Sequence, residues 1–403
     1  MPSNQDSKRR LKIVQVISPN AQPLPSHKGG TEKAVYELTE ELVRRGHDIT
    51  LFAPRGSRSN AKLITYPGNL THEGLADFVL DRLPKNVDVI HDHSFRSSLG
   101  LRKPNLPTVC TIHLPVKQQV DHPVYVSKRA RQLMGNNRGY CVYNGINPDE
   151  YQFSTEKHDY LLFLGRIIRN KGILQALDIA EKTGKRLIIA GPIKAPSFFK
   201  KEVEPRISKN PKIRFVGAVN GKEKQKLLKH AQCLLFPILW EEPFGFVMVE
   251  AMACGTPVLA LKKGAVSEVL SDFPQLICNS VDEMIQKIKR PDYPAPSDLR
   301  KHVVNRFTNK KMTEEYLKIY HEVMAERNVT AKRKLTEKRK ITAKRNVVAK
   351  RKLSVRRSMK VNRKVPVSRK LRARRKLSKK LSMTAKRKIP VRWKLTAKRR
   401  LKR

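Results

Sequence analysis

Glu242 and Glu250 stand eight positions apart in the run Glu242-Pro-Phe-Gly-Phe-Val-Met-Val-Glu250, which continues as Ala251-Met-Ala-Cys-Gly-Thr-Pro257. Glu250 is the only charged residue between Pro243 and Leu261. Its neighbours Phe246, Val247, Met248, Val249, Ala251 and Met252 read as a short buried helix that opens near Gly245 and stops at Gly255 and Pro257. A carboxylate sealed there is costly unless donors meet it. Sugar hydroxyls are such donors, and the free N–H groups and positive dipole end of the helix suit a phosphate. The same window also reads as a core helix whose glutamate reaches solvent or a structural arginine.

Arg166 and Lys171 leave the end of a strand just before a helix that starts near Gly172, a place where cations can meet a diphosphate. On composition alone they are equally loop charges in water. Gly29 and Gly30 would let backbone N–H groups approach phosphates, because no side chain blocks them, although a Gly-Gly pair is most often a turn. The dinucleotide pattern G-x-G-x-x-G is absent. His113 follows an apolar strand, where a lone histidine is more often structural. His91-Asp92-His93 puts two histidines on one strand face, as metal ligands can be, but no third ligand accompanies them and no Asp-x-Asp motif is present.

Strands alternating with helices must hold these residues. Lys12–Ser18, a glycine loop, a helix over Glu32–Arg45 stopped by Gly46, and a strand over Asp48–Ala53 form a β-loop-α-β unit of a parallel sheet. Further strands are expected at Val87–His91, Thr108–Ile112, Val124–Val126 and Cys141–Tyr143. A second series follows at Tyr160–Leu164, Arg186–Ala190, Ile213–Val216, Cys233–Phe236 and Pro257–Ala260. The fold class is therefore α/β, two successive Rossmann-like domains over residues 10–150 and 151–300 with a boundary near Asn147–Lys157. Ligands of such sheets bind beyond the carboxyl ends of the strands, where all these motifs fall.

Two glutamates so spaced, followed by a small-residue helix, Gly-Thr-Pro and a strand, resemble the E-x7-E signature of family 4 glycosyltransferases. Phe163-Leu-Gly-Arg166-Ile-Ile-Arg-Asn-Lys171-Gly172 resembles that family's G-R-x4-K-G segment, and His27-Lys28-Gly29-Gly30-Thr31-Glu32 its first-domain glycine loop. Tyr143-Asn-Gly-Ile-Asn147 matches its usual passage into the second domain. The resemblance spans roughly residues 10–325, in the family's order. It implies the GT-B fold, two Rossmann-like domains facing a cleft, and retaining transfer from a nucleotide-sugar such as UDP-glucose. By resemblance Glu250 holds the ribose hydroxyls, while Glu242 and the backbone of Phe244, Gly245 and Phe246 face the donor sugar. Arg166, Lys171, Gly29 and Gly30 meet the diphosphate. His113 lies near the reaction centre and orients donor sugar or acceptor without acting as general base. Retention without an obvious nucleophile implies a front-face route in which the leaving phosphate takes the acceptor proton. Residues 301–328 are expected to close the fold by packing back on the first domain. No cofactor and no metal are expected, and the acceptor is unreadable.

The 403 residues suffice for two cores, and no apolar run approaches the roughly 18 residues of a membrane span. A polar, basic stretch from Met1 to Lys12 lacks the apolar centre of a signal peptide. Cys110, Cys141, Cys233, Cys254 and Cys278 show no C-x-x-C spacing and read as reduced core thiols of a cytoplasmic protein.

The net charge is +50, but residues 329–403 hold 34 of the Lys and Arg against one acid, Glu337. Apolar residues recur there every six positions, from Val329, Leu335, Ile341 and Val347 to Leu401. On a helix a six-residue step turns about 240°, which scatters them over three faces. In a hexad β-helix Arg339, Arg345 and Arg351 would be buried, at prohibitive cost. An unstructured tail is expected, with a marginal helix as the alternative. Such a polycation should bind an anionic membrane, a cell-wall polymer, nucleic acid or a phosphorylated protein, and place the enzyme at an anionic membrane or at a spore or cell surface. Trp393 is its only aromatic residue, which disfavours base stacking. Thr330, Thr336, Thr342, Ser354, Ser378, Thr384 and Thr396 offer phosphate-acceptor hydroxyls. The repeats weakly resemble those of spore-coat proteins. The contrasting expectation is a structural protein with a degenerate transferase body and a working tail.

Overall fold

The computed structural model describes residues 9–25, 29–115 and 119–361. His27 and Lys28 of the glycine loop, and the repeats beyond Val361, lie outside the described residues.

Near-continuous apolar runs make strands buried on both faces, and such strands assemble as parallel sheets covered by helices. The first sheet has seven strands: β1 (Lys12–Ile17), β2 (Asp48–Pro54), β3 (Lys62–Tyr66), β4 (Val89–His93), β5 (Thr108–Ile112), β6 (Pro123–Tyr125) and β7 (Tyr140–Cys141). Their order is β3-β2-β1-β4-β5-β6-β7, all parallel. The second has six: β8 (His158–Leu164), β9 (Leu187–Ala190), β10 (Ile213–Phe215), β11 (Ala231–Phe236), β12 (Val258–Leu261) and β13 (Ile277–Cys278), in the order β10-β9-β8-β11-β12-β13. In each sheet the chain order reverses at the first strand, β1 or β8, so the carboxyl ends of β1 and β4 in one domain, and of β8 and β11 in the other, are the natural ligand edges. These two Rossmann-like sheets are the GT-B architecture.

Two strands escaped the sequence reading. β3 is a short, half-exposed edge strand and β13 has two residues, so neither carries a long apolar run. β4 begins two residues later than expected, because Asn86 turns the chain with φ 59° just before it. That shift carries the strand on through His93.

Each sheet has its own core. Residues 301–328, expected as closing helices that pack back on the first domain, divide between the two. Helix Pro296–Arg306 and the residue after it put Leu299, Val303 and Phe307 into the second core. From Met312 the packing changes sides: Met312, Tyr316, Ile319, Tyr320 and Val323 lie in the first core. All five cysteines are free thiols, four of them buried.

The helix that begins at Asn309 runs to Val361. Through Val361 the basic repeat is thus helical instead of unstructured, since Ala, Lys, Arg and Leu are strong helix formers and offset the repulsion of like charges. Val329, Ile341 and Val347 are each about half exposed, as a six-residue step requires. Among the described residues no helix is long and apolar enough to cross a membrane.

Both passages between the domains meet Glu37 of helix Gly30–Arg44. Its carboxylate accepts the Asn147 N–H at 3.0 Å and the Asn309 side-chain amide at 3.2 Å. Burial pushes its pKa up to about 7 against the opposing charge of Lys33. A carboxyl raised by folding favours the folded state below its unfolded value near 4.5, and that contribution is lost as pH rises through 7. Glu37→Gln removes this loss. Its stability relative to the wild type should improve by up to about 3 kcal/mol between pH 4.5 and pH 8, read by urea unfolding; a pH-independent difference would refute the assignment.

Candidate functional site

Strand β8 ends at Leu164, and the chain turns through Gly165 and Arg166 to the short 3-10 turn Arg169–Lys171. Gly172 then takes φ 78°, and a side chain there would run into the Pro237 carbonyl, 1.8 Å from an added Cβ. Only glycine lets this loop press against the segment that follows β11, where the Leu239 N–H donates to the Asn170 carbonyl at 3.0 Å. The close approach brings Lys171 to Glu242 as an ion pair, and the Trp240 indole N–H donates to the same carboxylate oxygen at 2.8 Å. Arg166 is exposed.

Past Glu242 the chain reaches Gly245, at φ 88°, which opens helix Phe246–Ala253 without a side-chain cap. The Met248 N–H donates to the Gly245 carbonyl at 3.0 Å, which leaves the N–H groups of Phe246 and Val247 to a ligand or water. Phe244 is buried, and its ring meets that of Phe246 edge-on at 5.3 Å. Across the cleft, a Cβ added to Gly30 would stand 3.5 Å from Phe246, so the glycine loop and this helix terminus face each other.

Glu250, on the same helix, is 2 % exposed. Lys33 of the first domain donates to its Oε1 at 2.6 Å, Tyr151 donates to Oε1 at 3.1 Å, and Lys224 reaches Oε2 at 2.7 Å. Lys33 also contacts the Tyr151 hydroxyl and lies 4.9 Å from the centre of its ring. Burial would push the Glu250 pKa up, but the charges of Lys224 and Lys33 and their hydrogen bonds outweigh it and hold it at about 2. The carboxylate is therefore ionised and met by lysines from both domains, where the sequence allowed solvent or a structural arginine.

His113 follows β5 and is 8 % exposed, with Nε2 at 3.3 Å from Nδ1 of His93. Burial lowers its pKa to about 4, so it is neutral at pH 7. His91 has both ring nitrogens engaged, by Tyr320 at 2.6 Å and Thr111 at 2.7 Å. Asp92 accepts the N–H groups of Ser94, Leu99 and Gly100. The triplet ties β4 to its surroundings: both nitrogens of His91 and both oxygens of Asp92 are engaged, whereas His93 Nε2 is buried without a hydrogen-bond partner among the described residues. Glu156, His158 and His230 do gather their ligand atoms, but at the amino end of β8, away from the cleft. The two rings stack at 4.4 Å with planes 11° apart, so their lone pairs run side by side.

Comparison with known proteins gives the arrangement its family. The model described as "Glycosyltransferase Family 4" matches residues 28–150, and "Glycosyl transferases group 1" matches residues 148–290. An uncharacterised glycosyltransferase of Methanocaldococcus jannaschii is 28% identical over 212 residues, 45% of this chain and 54% of that protein. The chain thus spans little more than half of that relative's length. A phosphatidyl-myo-inositol mannosyltransferase of Mycobacterium tuberculosis is 26% identical over 309 residues, 64% of this chain and 80% of the relative. Among solved structures, Anabaena Alr3699/HepE in complex with UDP and glucose superposes with a TM-score of 0.64 at 16% identity, over 78% of this chain and 100% of that one. This last likeness is one of fold.

The chain belongs to the family 4 glycosyltransferases. The structure of this glycosyltransferase brings Gly30, Lys171, Glu242, Gly245, Phe246 and Glu250 to one cleft, with Gly29 capping the first-domain helix. His113 sits at the carboxyl end of β5, among histidines. Sequence reasoning missed Lys33, Tyr151, Lys224 and Trp240. Lys33, in the first turn after the twin glycines, had a positional signal; Lys224 had none among 85 Lys and Arg.

Glu250→Gln leaves two lysines without their counter-charge. Because the folded pKa is depressed, the stabilisation is complete above pH 4.5 and is lost as pH falls through 2. The variant should lose about 3 kcal/mol at pH 7, a deficit that shrinks between pH 4.5 and pH 2 in denaturant titrations. An unchanged deficit at pH 2 would remove the ion cluster as its cause.

Proposed function

We propose that the cleft binds a nucleotide-sugar, with UDP-glucose as the expected donor, and transfers the hexose with retention to an acceptor. The observation that carries this reading is Glu250: a buried, ionised carboxylate beside an uncapped helix terminus and opposite a glycine loop. Ribose hydroxyls are the donors such a carboxylate would take, and the helix terminus and Gly29–Gly30 offer N–H groups to the diphosphate. The UDP and glucose held by the Anabaena protein of like fold belong to the same ligand class.

Each residue then has a task. Arg166 and Lys171 offset the charge that develops on the departing diphosphate, a role cations perform best in a closed, dry cleft. Glu242, oriented by Lys171 and Trp240, accepts from the sugar hydroxyls, together with the backbone of Phe244, Gly245 and Phe246. An acid so tied is a recognition group more than a nucleophile, which favours front-face transfer with the leaving phosphate taking the acceptor proton. His113, neutral, offers a hydrogen bond to the donor sugar or the acceptor. The two arginine and lysine charges do the work a divalent ion does in other transferases, so no metal is required.

The basic repeat is proposed as an anchor to a polyanion, an anionic membrane first, which places a protein of the cytoplasm at that surface. Its exposed cations supply only charge, so vesicle binding should fall steeply with salt.

Nucleotide release from UDP-glucose by the full chain tests the main reading. Glu242→Ala and Arg166→Ala should each slow it about 100-fold. EDTA should leave the rate unchanged, and the profile between pH 5 and pH 8 should lack a histidine inflection near 6.5 that His113→Asn removes. A chain that turns over none of the common nucleotide-sugars would favour the degenerate-body alternative.

A further inference from the structure

Glu250 is fuller than its proposed role allows. An ionised carboxylate offers about four lone-pair sites. Lys33 and Tyr151 occupy Oε1, and Lys224 occupies Oε2. One site remains, whereas a ribose presents two vicinal hydroxyls. A partner must therefore leave before both hydroxyls are bound.

The geometry selects which. Tyr151 and Lys224 belong to the chain segments around the second sheet and move with Glu250. Lys33 comes from the first domain, in the opening turn of the helix capped by Gly29. Its ammonium lies 5.7 Å from the centre of the Phe246 ring, at the uncapped terminus where the diphosphate is proposed to sit. Charge alone does not single out a partner: Lys171 pairs with Glu242, and Lys33 and Lys224 share Glu250, while the Glu32 carboxylate lies against Gly29 and Glu37 is in electrostatic reach of Lys33.

Resting on the nucleotide reading above, we propose that Lys33 exchanges partners when donor binds, leaving Glu250 to the ribose and moving to the diphosphate. In the structure Lys33 ties the two domains through Glu250 and Tyr151. In the filled cleft it ties them through the nucleotide. Lys33 is then a donor-binding residue that reads the presence of phosphate and relieves Glu250 in the same step.

The test compares UDP with uridine by calorimetry on the full chain. Uridine needs the ribose site alone, and UDP needs the ribose site and the exchanged lysine. Lys33→Met should cut the ratio of UDP to uridine affinity about tenfold, chiefly by weakening UDP, while uridine binds as well as before or better. Equal weakening of both ligands would make Lys33 only a prop for Glu250, and an unchanged ratio would leave it without a phosphate contact; either result overturns the exchange. A wild type that binds no UDP would instead sink the nucleotide reading itself.

The wild type supplies a second readout that does not depend on how the variant folds. Acetylation of Lys33 by acetic anhydride, followed by mass spectrometry, should rise with uridine, which releases the ammonium, and fall with UDP, which recaptures it. Lys33 reactivity that responds to neither ligand, or in the same direction to both, also overturns the proposal.

Discussion

A single carboxylate, Glu250, sets the electrostatics between the two sheets. It lies in a helix that is otherwise apolar and buried, so neither water nor its own helix can satisfy it. Removing such a charge from water is expensive, and the expense is offset only by partners in good geometry. Lys33, Lys224 and Tyr151 provide that geometry, and all three approach from outside Glu250's own helix and the strands beside it. The burial of one acid therefore links the first-domain helix, the segment between the domains and the second domain into one polar cluster.

The cluster works because the backbone brings its members close. Parallel strands deliver their carboxyl ends to one edge of each sheet, and the loops that leave those ends have little room. Gly172 meets the Pro237 carbonyl, and Gly245 turns the chain into a helix with its N–H groups uncovered. A side chain at Gly172 would push the loop after β8 away from the segment after β11, and Lys171 would lose Glu242, while one at Gly245 would run into Met248 and Phe236. The glycines are thus part of the charge arrangement, although they carry no charge.

The elements and residues that were legible in the sequence are those with strong local signals. Long apolar strands such as β1, β2, β8 and β11 declare themselves, and Gly46, Gly245 and Gly255 mark helix ends. The Glu242, Glu250, Arg166 and Lys171 set was readable from spacing. Edge strand β3 was not, because its half-exposed side chains leave no run to detect. Tyr151 and Lys224 were hidden for a different reason: their importance is a contact with a glutamate distant in the chain, and lysines are abundant everywhere in this chain, whereas Trp240 meets Glu242 from only two residues away and had no pattern to mark it. In the histidine triplet, what local spacing could not reveal is that His91 is hydrogen-bonded to Tyr320 and Thr111, Asp92 to the loop that follows, and His93 to His113. The helical reach of the basic repeat was underweighted because like-charge repulsion was set against a missing core, whereas exposed helices of Ala, Leu, Lys and Arg draw on backbone propensity.

Glu250 holds two lysines, one from each domain, on a single carboxylate. Lysines are strongly hydrated, and holding two of them beside one carboxylate forgoes water around both. Burial lowers the Lys224 pKa against the pull of Glu250. An incoming polyanion relieves this crowding, and the relief is greater for a ligand that brings hydroxyls to Glu250 and negative charge to the freed ammonium together. The same crowding disfavours a neutral glycoside, which would satisfy the acid and leave the lysine stranded. On the nucleotide-sugar reading proposed above, the ligand that fits is one that meets the acid with hydroxyls and the released lysine with phosphate in the same step.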